Sequence, residues 1–289
     1  MSINKQRGAA HLVIVIPVVV VLIIATMGFL FWQRLQNLEP QVATTETSVE
    51  EQQSSPAEYV IPELRPTVDS MNQTLKPYGL TVSLAMTSDD PTSIRWDPLE
   101  ASDVASLETF SAQLTQEFSK YPTDFVKNSG LKTIVLVKKL YSGSLYLSAQ
   151  PRPSQKAMIY DVPSMIGRGD ADSRHVVSHE YWHYIDYVIS DGDYYFQDSQ
   201  WSACNPSGFT YGSGGRSAYD EDDYSYAFHP QQGFITNYAR YGIEEDRADL
   251  FGWMIYDPDK VEALDDSRID CKIDRLTELA RELSPRMSF

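Results

Sequence analysis

Positive charge is scarce in this chain. Its 289 residues hold 24 Lys and Arg against 40 Asp and Glu, a net charge of −16. A surface of that sign repels a phosphate backbone, which argues against nucleic acid as a partner. Residues 1–59 account for three of the basic and five of the acidic residues, so about −14 falls on the remainder. Cysteine is nearly absent: Cys204 and Cys271 are the only two. Two cysteines outside the cell pair more often than they stay free, so a Cys204–Cys271 disulfide is the expectation and two thiols the alternative. No internal repeat is present, which excludes a repeat array.

Long apolar runs are lacking too, with one exception. Leu12 to Trp32 is 21 residues without a charge, rich in Val, Ile and Leu. At 1.5 Å per residue it matches the roughly 30 Å of bilayer hydrocarbon. The sequence therefore predicts a transmembrane anchor over 12–32, with a cleaved signal peptide as the alternative. Lys5 and Arg7 precede the run, whereas Glu39, Glu46, Glu50 and Glu51 follow Arg34. By the positive-inside rule this makes residues 1–11 a short cytoplasmic N-terminus and the chain a single-pass plasma membrane protein with its main domain extracellular. Residues 33–59, polar and poor in large apolar side chains, read as a flexible stalk. Residues 60–289 are long enough for one folded domain with a real core.

Within that domain the apolar periodicity predicts helices over Pro62–Tyr78 and Asp97–Tyr121, the second with Val104, Leu107, Phe110, Leu114 and Phe118 as its core stripe. Strands are expected over Leu80–Met86, Leu131–Val137 and Lys156–Val162. A helix capped by Asp172 or Ser173 runs to about Ile189, with Asp191 and Gly192 ending it. From Asp193 to Arg240 the chain turns rich in Tyr, Gly, Ser and Asp, a long excursion suited to the substrate side of a site. Helical patterning returns over Glu244–Tyr256 and from Asp266 to Leu283. The expected class is α+β, a small mixed sheet with two helices bordering a cleft.

The sharpest feature is His179-Glu180-Tyr181-Trp182-His183. On a helix, residues four apart lie about 40° apart on one face, so both imidazoles can reach one ion. Neutral imidazole is a good zinc ligand. Glu180, one residue after the first ligand, can instead take a proton from a water at the metal. A catalytic zinc needs a third protein ligand and an open position. A third histidine is excluded, because that class needs Gly at 186 and His at 189 and this chain has Asp186 and Ile189. A downstream carboxylate remains, and the segment Glu245-Asp-Arg-Ala-Asp249 offers one. Glu245 and Asp249 share a helix face, so Glu245 can bind the metal while Asp249 holds the outer nitrogen of a ligating His. Glu244 is the rival ligand, with Ala248 where that support would be. His175 and His229 read as packing residues, the second with substrate contact as an alternative. Asp186 reads either as a partner to a ligating His or as a solvated face. The run Asp220 to Asp223 reads as solvated, with weak calcium binding as the alternative.

The segment Asn237 to Phe251, with Tyr238 seven residues before Glu245 and Ala248-Asp249 after it, resembles that of the anthrax lethal factor-like zinc peptidases. The resemblance spans about residues 100 to 256 and is specific only around the two motifs. It implies a gluzincin: one Zn²⁺ held by two His and one Glu, and Tyr238 assisting the reaction at the oxyanion or the leaving amine. The family's Glu at the end of the segment is Asp249 here, one methylene shorter. By the same analogy the strand before the active-site helix, Lys156–Val162, would lie at a sheet edge and pair with an extended substrate. The expected function is hydrolysis of a protein or peptide substrate by zinc-activated water. A zincin-like module that binds without cleaving, and a zinc hydrolase acting on a cell-wall amide, are the competing readings.

Overall fold

The computed structural model describes residues 61–85, 94–218 and 225–289. The chain runs α1 (Arg65–Leu75), β1 (Thr81–Ser83), β2 (Ile94–Asp97), α2 (Val104–Phe118), α3 (Thr123–Ser129), β3 (Thr133–Ser142), β4 (Leu145–Tyr146), β5 (Ala149–Arg152), β6 (Ala157–Asp161) and α4 (Val162–Gly167). It continues with α5 (Asp170–Ile189), α6 (Ser199–Ala203), α7 (Gly215–Ala218), β7 (Phe228–Gln231), β8 (Phe234–Thr236), α8 (Ile243–Tyr256), α9 (Pro258–Glu262) and α10 (Ser267–Arg281).

Strand periodicity decides how the sheet is covered. Successive side chains of β3 and β6 point to opposite faces. Ile134, Leu136, Met158 and Tyr160 join the main core under the helices, while Val135, Val137 and Ile159 form a second cluster on which Ile94, Trp96 and Leu147 pack. Both faces are thus dry, which is why these strands read as continuous apolar runs and not as alternating ones. The sheet order is β1-β3-β6-β5, with β1 and β6 parallel to β3 and β5 antiparallel to β6. β2 and β4 pair antiparallel with the far half of β3. Asp161 ends β6 and starts α4: its carboxylate accepts from the Leu140 amide at 2.8 Å and the Ser164 amide at 2.9 Å, and Pro163 sits in the first helical turn.

The helical layer closes on aromatic side chains. Phe110 and Phe118 of α2, Tyr181 and Trp182 of α5 and Phe251 of α8 are all fully buried. Trp182 and Phe251 rings lie 4.6 Å apart where α5 and α8 pack. Behind α8, a disulfide joins Cys204, after α6, to Cys271 on α10 across 67 residues. Closing a loop of that length contributes about 4 kcal/mol on the chain-entropy account.

The mixed helix-and-sheet composition fits the α+β class, and three expectations need correction. The membrane-spanning helix placed ahead of the domain is not a feature of the described fold. Among the described residues no helix is long and apolar enough to cross a membrane. The longest, α5, has 20 residues but carries Asp170, Asp172, Arg174, Glu180 and Asp186. Residues 1–60, with the proposed anchor and stalk, and residues 220–223, read as solvated, lie outside the described residues. Second, the run Lys156–Val162 supplies β6, which is not an edge: β3 flanks it on one side and β5 on the other. The edge is β5. Third, Asp97 does not begin a helix. Residues 94–97 pair with β3, and α2 starts at Val104 after a turn in which Glu100 and Asp103 cap each other.

Candidate metal centre

Two helix starts build the site. α5 opens at Gly169, whose φ of 87° is open to glycine without cost. Its His175, His179 and His183 then recur one turn apart on one face. α8 opens at Gly242 with Glu244, Glu245 and Asp246 in its first turn, where the helix dipole favours carboxylates. The helices approach closely enough that a Cβ on Gly252 would lie 2.7 Å from the His175 ring. A buried ion pair, Arg247 Nε to Asp186 Oδ2 at 2.7 Å, joins them. Asp186 therefore holds neither a ligating histidine nor the solvent.

Across that seam three donor atoms converge. His179 Nε2 and His183 Nε2 are 3.2 Å apart, and Glu245 Oε2 lies 3.2 Å from His183 and 3.3 Å from His179. In a tetrahedral zinc site with bonds of about 2.0–2.1 Å, ligand atoms stand about 3.3–3.4 Å apart. The triangle has that size, and its donors, two imidazoles and a carboxylate, are the set zinc takes in catalytic sites. Glu245 and not Glu244 completes it. The third donor comes from α8 because Trp182 and Phe251 bring the first turn of that helix opposite His183.

Asp249 lies behind the ligands. Its Oδ1 is 3.0 Å from His179 Nδ1, and its Oδ2 accepts from the Thr236 hydroxyl. With Nδ1–H donated to Asp249, the lone pair of Nε2 faces the centre of the triangle. The shorter side chain reaches because α8 packs directly on α5. His175 stands one turn earlier, 3.5 Å from the same carboxylate and against the Trp253 ring.

The electrostatics suit a cation. Burial works against a charged His179, but Asp249 and Glu245 outweigh it and raise its pKa well above the usual value. Burial likewise opposes an ionised Glu245, yet His183 and His179 hold its carboxyl well below the usual range. Burial pushes the Glu180 carboxyl up, with His183 and His179 pulling the other way.

Glu180, Tyr238 and the three donors line one cleft of about 460 Å³. Its walls are β5 with the turn before it, the segment Tyr194–Tyr195, and the segment Ser213–Gly215. Tyr238 sits on a single turn just before α8, its ring 6.2 Å from that of His179 and 5.1 Å from that of Tyr226. Gly215 closes over it: a Cβ there would come within 1.9 Å of Glu245 Oε1 and 2.4 Å of the Tyr238 hydroxyl. Every residue expected at the site is thus brought together, and Cys204 and Cys271 are paired some way behind it. His229 is elsewhere, 3.0 Å from Asp266 at the β7–β8 hairpin.

Thr236, Gly215 and β5 were not legible as site residues. Thr236 is an ordinary strand residue in the sequence, and nothing local marks its hydroxyl. Gly215 falls in the Gly-rich segment Tyr211-Gly-Ser-Gly-Gly215 read as substrate-side, so the region was marked but not the residue. Comparison with family profiles, curated proteins and solved structures yielded no match to this chain.

Proposed function

We propose that this chain is a zinc-dependent metalloendopeptidase of the HExxH type, with His179, His183 and Glu245 as ligands and a likeness to the lethal factor-like peptidases. The observation that carries the reading is the triangle of donors, 3.2–3.3 Å on each side, opening onto a cleft that Glu180 also lines. A zinc that only braces a fold is closed by four protein ligands and has no use for a base. Three donors facing a cleft support a catalytic site.

A bound zinc ion supplies Lewis-acid activation of water and of the scissile carbonyl. The chain supplies the rest. Asp249 fixes the His179 ring through Nδ1, and Thr236 fixes Asp249. Glu180 accepts a proton from the attacking water and delivers it to the leaving amine; burial, by raising its pKa, makes it the better base. The Tyr238 hydroxyl donates to the oxyanion as the carbonyl carbon becomes tetrahedral.

The substrate would lie along β5 as an added strand. The Asp161 amide donates to the Ser148 carbonyl, so in the alternating ladder Gln150 also pairs inward and the N–H and C=O of Ala149 turn outward. Pro151 lacks an N–H, and the side-chain Nε2 of Gln150 donates to its carbonyl at 3.2 Å. The outward ladder is therefore short, and affinity depends on side-chain pockets. The disulfide supports an oxidising, extracytoplasmic compartment.

The test is zinc content and casein cleavage by the purified protein beside its Glu180→Gln form. The expectation is one zinc per chain in both and a loss of about 10²–10⁴-fold in rate for Glu180→Gln, with a chelator abolishing the wild-type rate and added zinc restoring it. Protein that binds no zinc would sink the reading; zinc without cleavage would favour the binding module.

A further inference from the structure

Three acidic side chains face the cleft, and two have an occupation. Glu245 is a metal ligand and Glu180 a base. Glu244 has none. It is 7 % exposed, and among the described residues the hydrogen bond onto its carboxylate comes from its own backbone amide. Among the described residues no Lys or Arg side chain lines the cleft. His183 and Arg247 favour the charged form of Glu244 through space, and a buried carboxylate gains further from a cation in direct hydrogen-bonded contact.

Glu244 also lies where two cavities meet. One is the cleft of the three donors; the other, of about 210 Å³, is lined by Tyr195, Gln197, Tyr211 and Ser213 and, among the described residues, by no Lys or Arg. The carboxylate is turned into this junction by two glycines. A Cβ on Gly242 would stand 2.3 Å from Glu244 Oε1, and one on Gly214 would stand 3.3 Å from it. The second cavity thus has aromatic sides, neutral hydrogen-bonding groups and an anion at its inner end. That combination suits a long aliphatic stem ending in a cation, the stem against the rings and the head on the carboxylate.

We propose that Glu244 is the specificity-determining residue of the cleft and takes a lysine or arginine side chain of the peptide substrate. The inference rests on the peptidase reading above. Substrate then supplies a cation in direct contact with the carboxylate, and peptides with only neutral or acidic side chains near the scissile bond bind poorly.

The experiment uses fluorogenic peptides blocked at both ends, so that a side chain alone can bring the cation. Lys, Arg, norleucine, citrulline and Glu are placed in turn at each position around the scissile bond, and the zinc-loaded protein is compared with Glu244→Gln and Glu244→Lys, zinc content being checked in each. Wild type should favour Lys or Arg over norleucine and citrulline at one position by about tenfold or more in kcat/KM, as expected for a hydrogen bond to a charged group. That ratio should fall to near one in Glu244→Gln and turn toward Glu in Glu244→Lys. Cleavage with no cationic preference at any position, or a preference that survives Glu244→Gln, overturns the assignment and leaves the peptidase standing. Failure of wild type to cut any peptide overturns the peptidase reading and the assignment with it.

Discussion

Glu245 and Asp246 are neighbours in the first turn of α8, both buried, and they solve one problem in two ways. Glu245 turns toward α5 and meets two imidazoles at 3.2–3.3 Å. Asp246 turns the other way, where Lys272 Nζ lies 2.6 Å from its Oδ2 and the Trp201 and Tyr211 side chains donate at 2.9 and 2.6 Å. The cation at Asp246 belongs to the chain and cannot leave. The cation proposed for Glu245 comes from solution. The first arrangement is a clamp that ties α8 to α10 and to the segment around Trp201; the second is a receptor. With Glu244, whose partner is proposed to be substrate, one helical turn carries three carboxylates with three sources of positive charge.

The strongest way to break the comparison is to remove the fixed cation. Lys272→Met leaves Asp246 buried beside a neutral side chain, and breaking a buried pair costs about 3–5 kcal/mol. Urea unfolding of the zinc-loaded variant should show that loss, while one zinc per chain is retained. A loss below about 1 kcal/mol would mean that Asp246 does not depend on its cation.

Asp249→Ala sharpens the other side. It removes the acceptor that orients His179 while leaving all three donors, so zinc affinity should fall by about 10–100-fold. Competition with a chelator measures this. Unchanged affinity would show that helix packing alone orients the ring.

The smallest effect is one of pH. Asp198 caps α6, the helix that presents Trp201 to Asp246, and meets Arg275 Nε at 2.8 Å. Burial pushes its carboxyl up, but Arg275 and the amides of Trp201 and Gln200 outweigh that and hold it below the usual range. A depressed carboxyl contributes stability above its unfolded pKa, about 3.9, and that contribution is lost as pH falls through the folded value. Melting temperatures of wild type and Asp198→Asn should therefore differ at neutral pH and converge below about pH 4. Parallel curves would mean that the capping bonds matter and the charge does not.

How legible these regions were follows from how local they are. His179, Glu180 and His183 lie within five residues of one helix, and the periodicity that makes the helix also sets their common face. Glu245 and Asp249 could be found because zinc chemistry demands a third ligand and a helix repeats every turn. The clamp has no such grammar: Asp246 and Lys272 are 26 residues apart on different helices, and their pairing depends on how α10 docks. Likewise Ala149-Gln-Pro-Arg152 is only four residues long, has no β-branched or aromatic residue and contains a proline. It is a strand only because β6 offers it a partner, so the sequence pattern alone points to the more apolar run as the edge. Asp97 reads as a helix start because its pairing with β3 depends on a residue some 40 positions away.

The Cys204–Cys271 bond makes the intervening chain a covalent ring. Tyr238 and Glu245 lie inside that ring, and the histidine ligands lie outside it. A single backbone cut anywhere between the two cysteines leaves both pieces on one molecule. A nicked protein would therefore keep its full mass until the disulfide is reduced, and would then separate the glutamate ligand from the sulfur that had held its half in place.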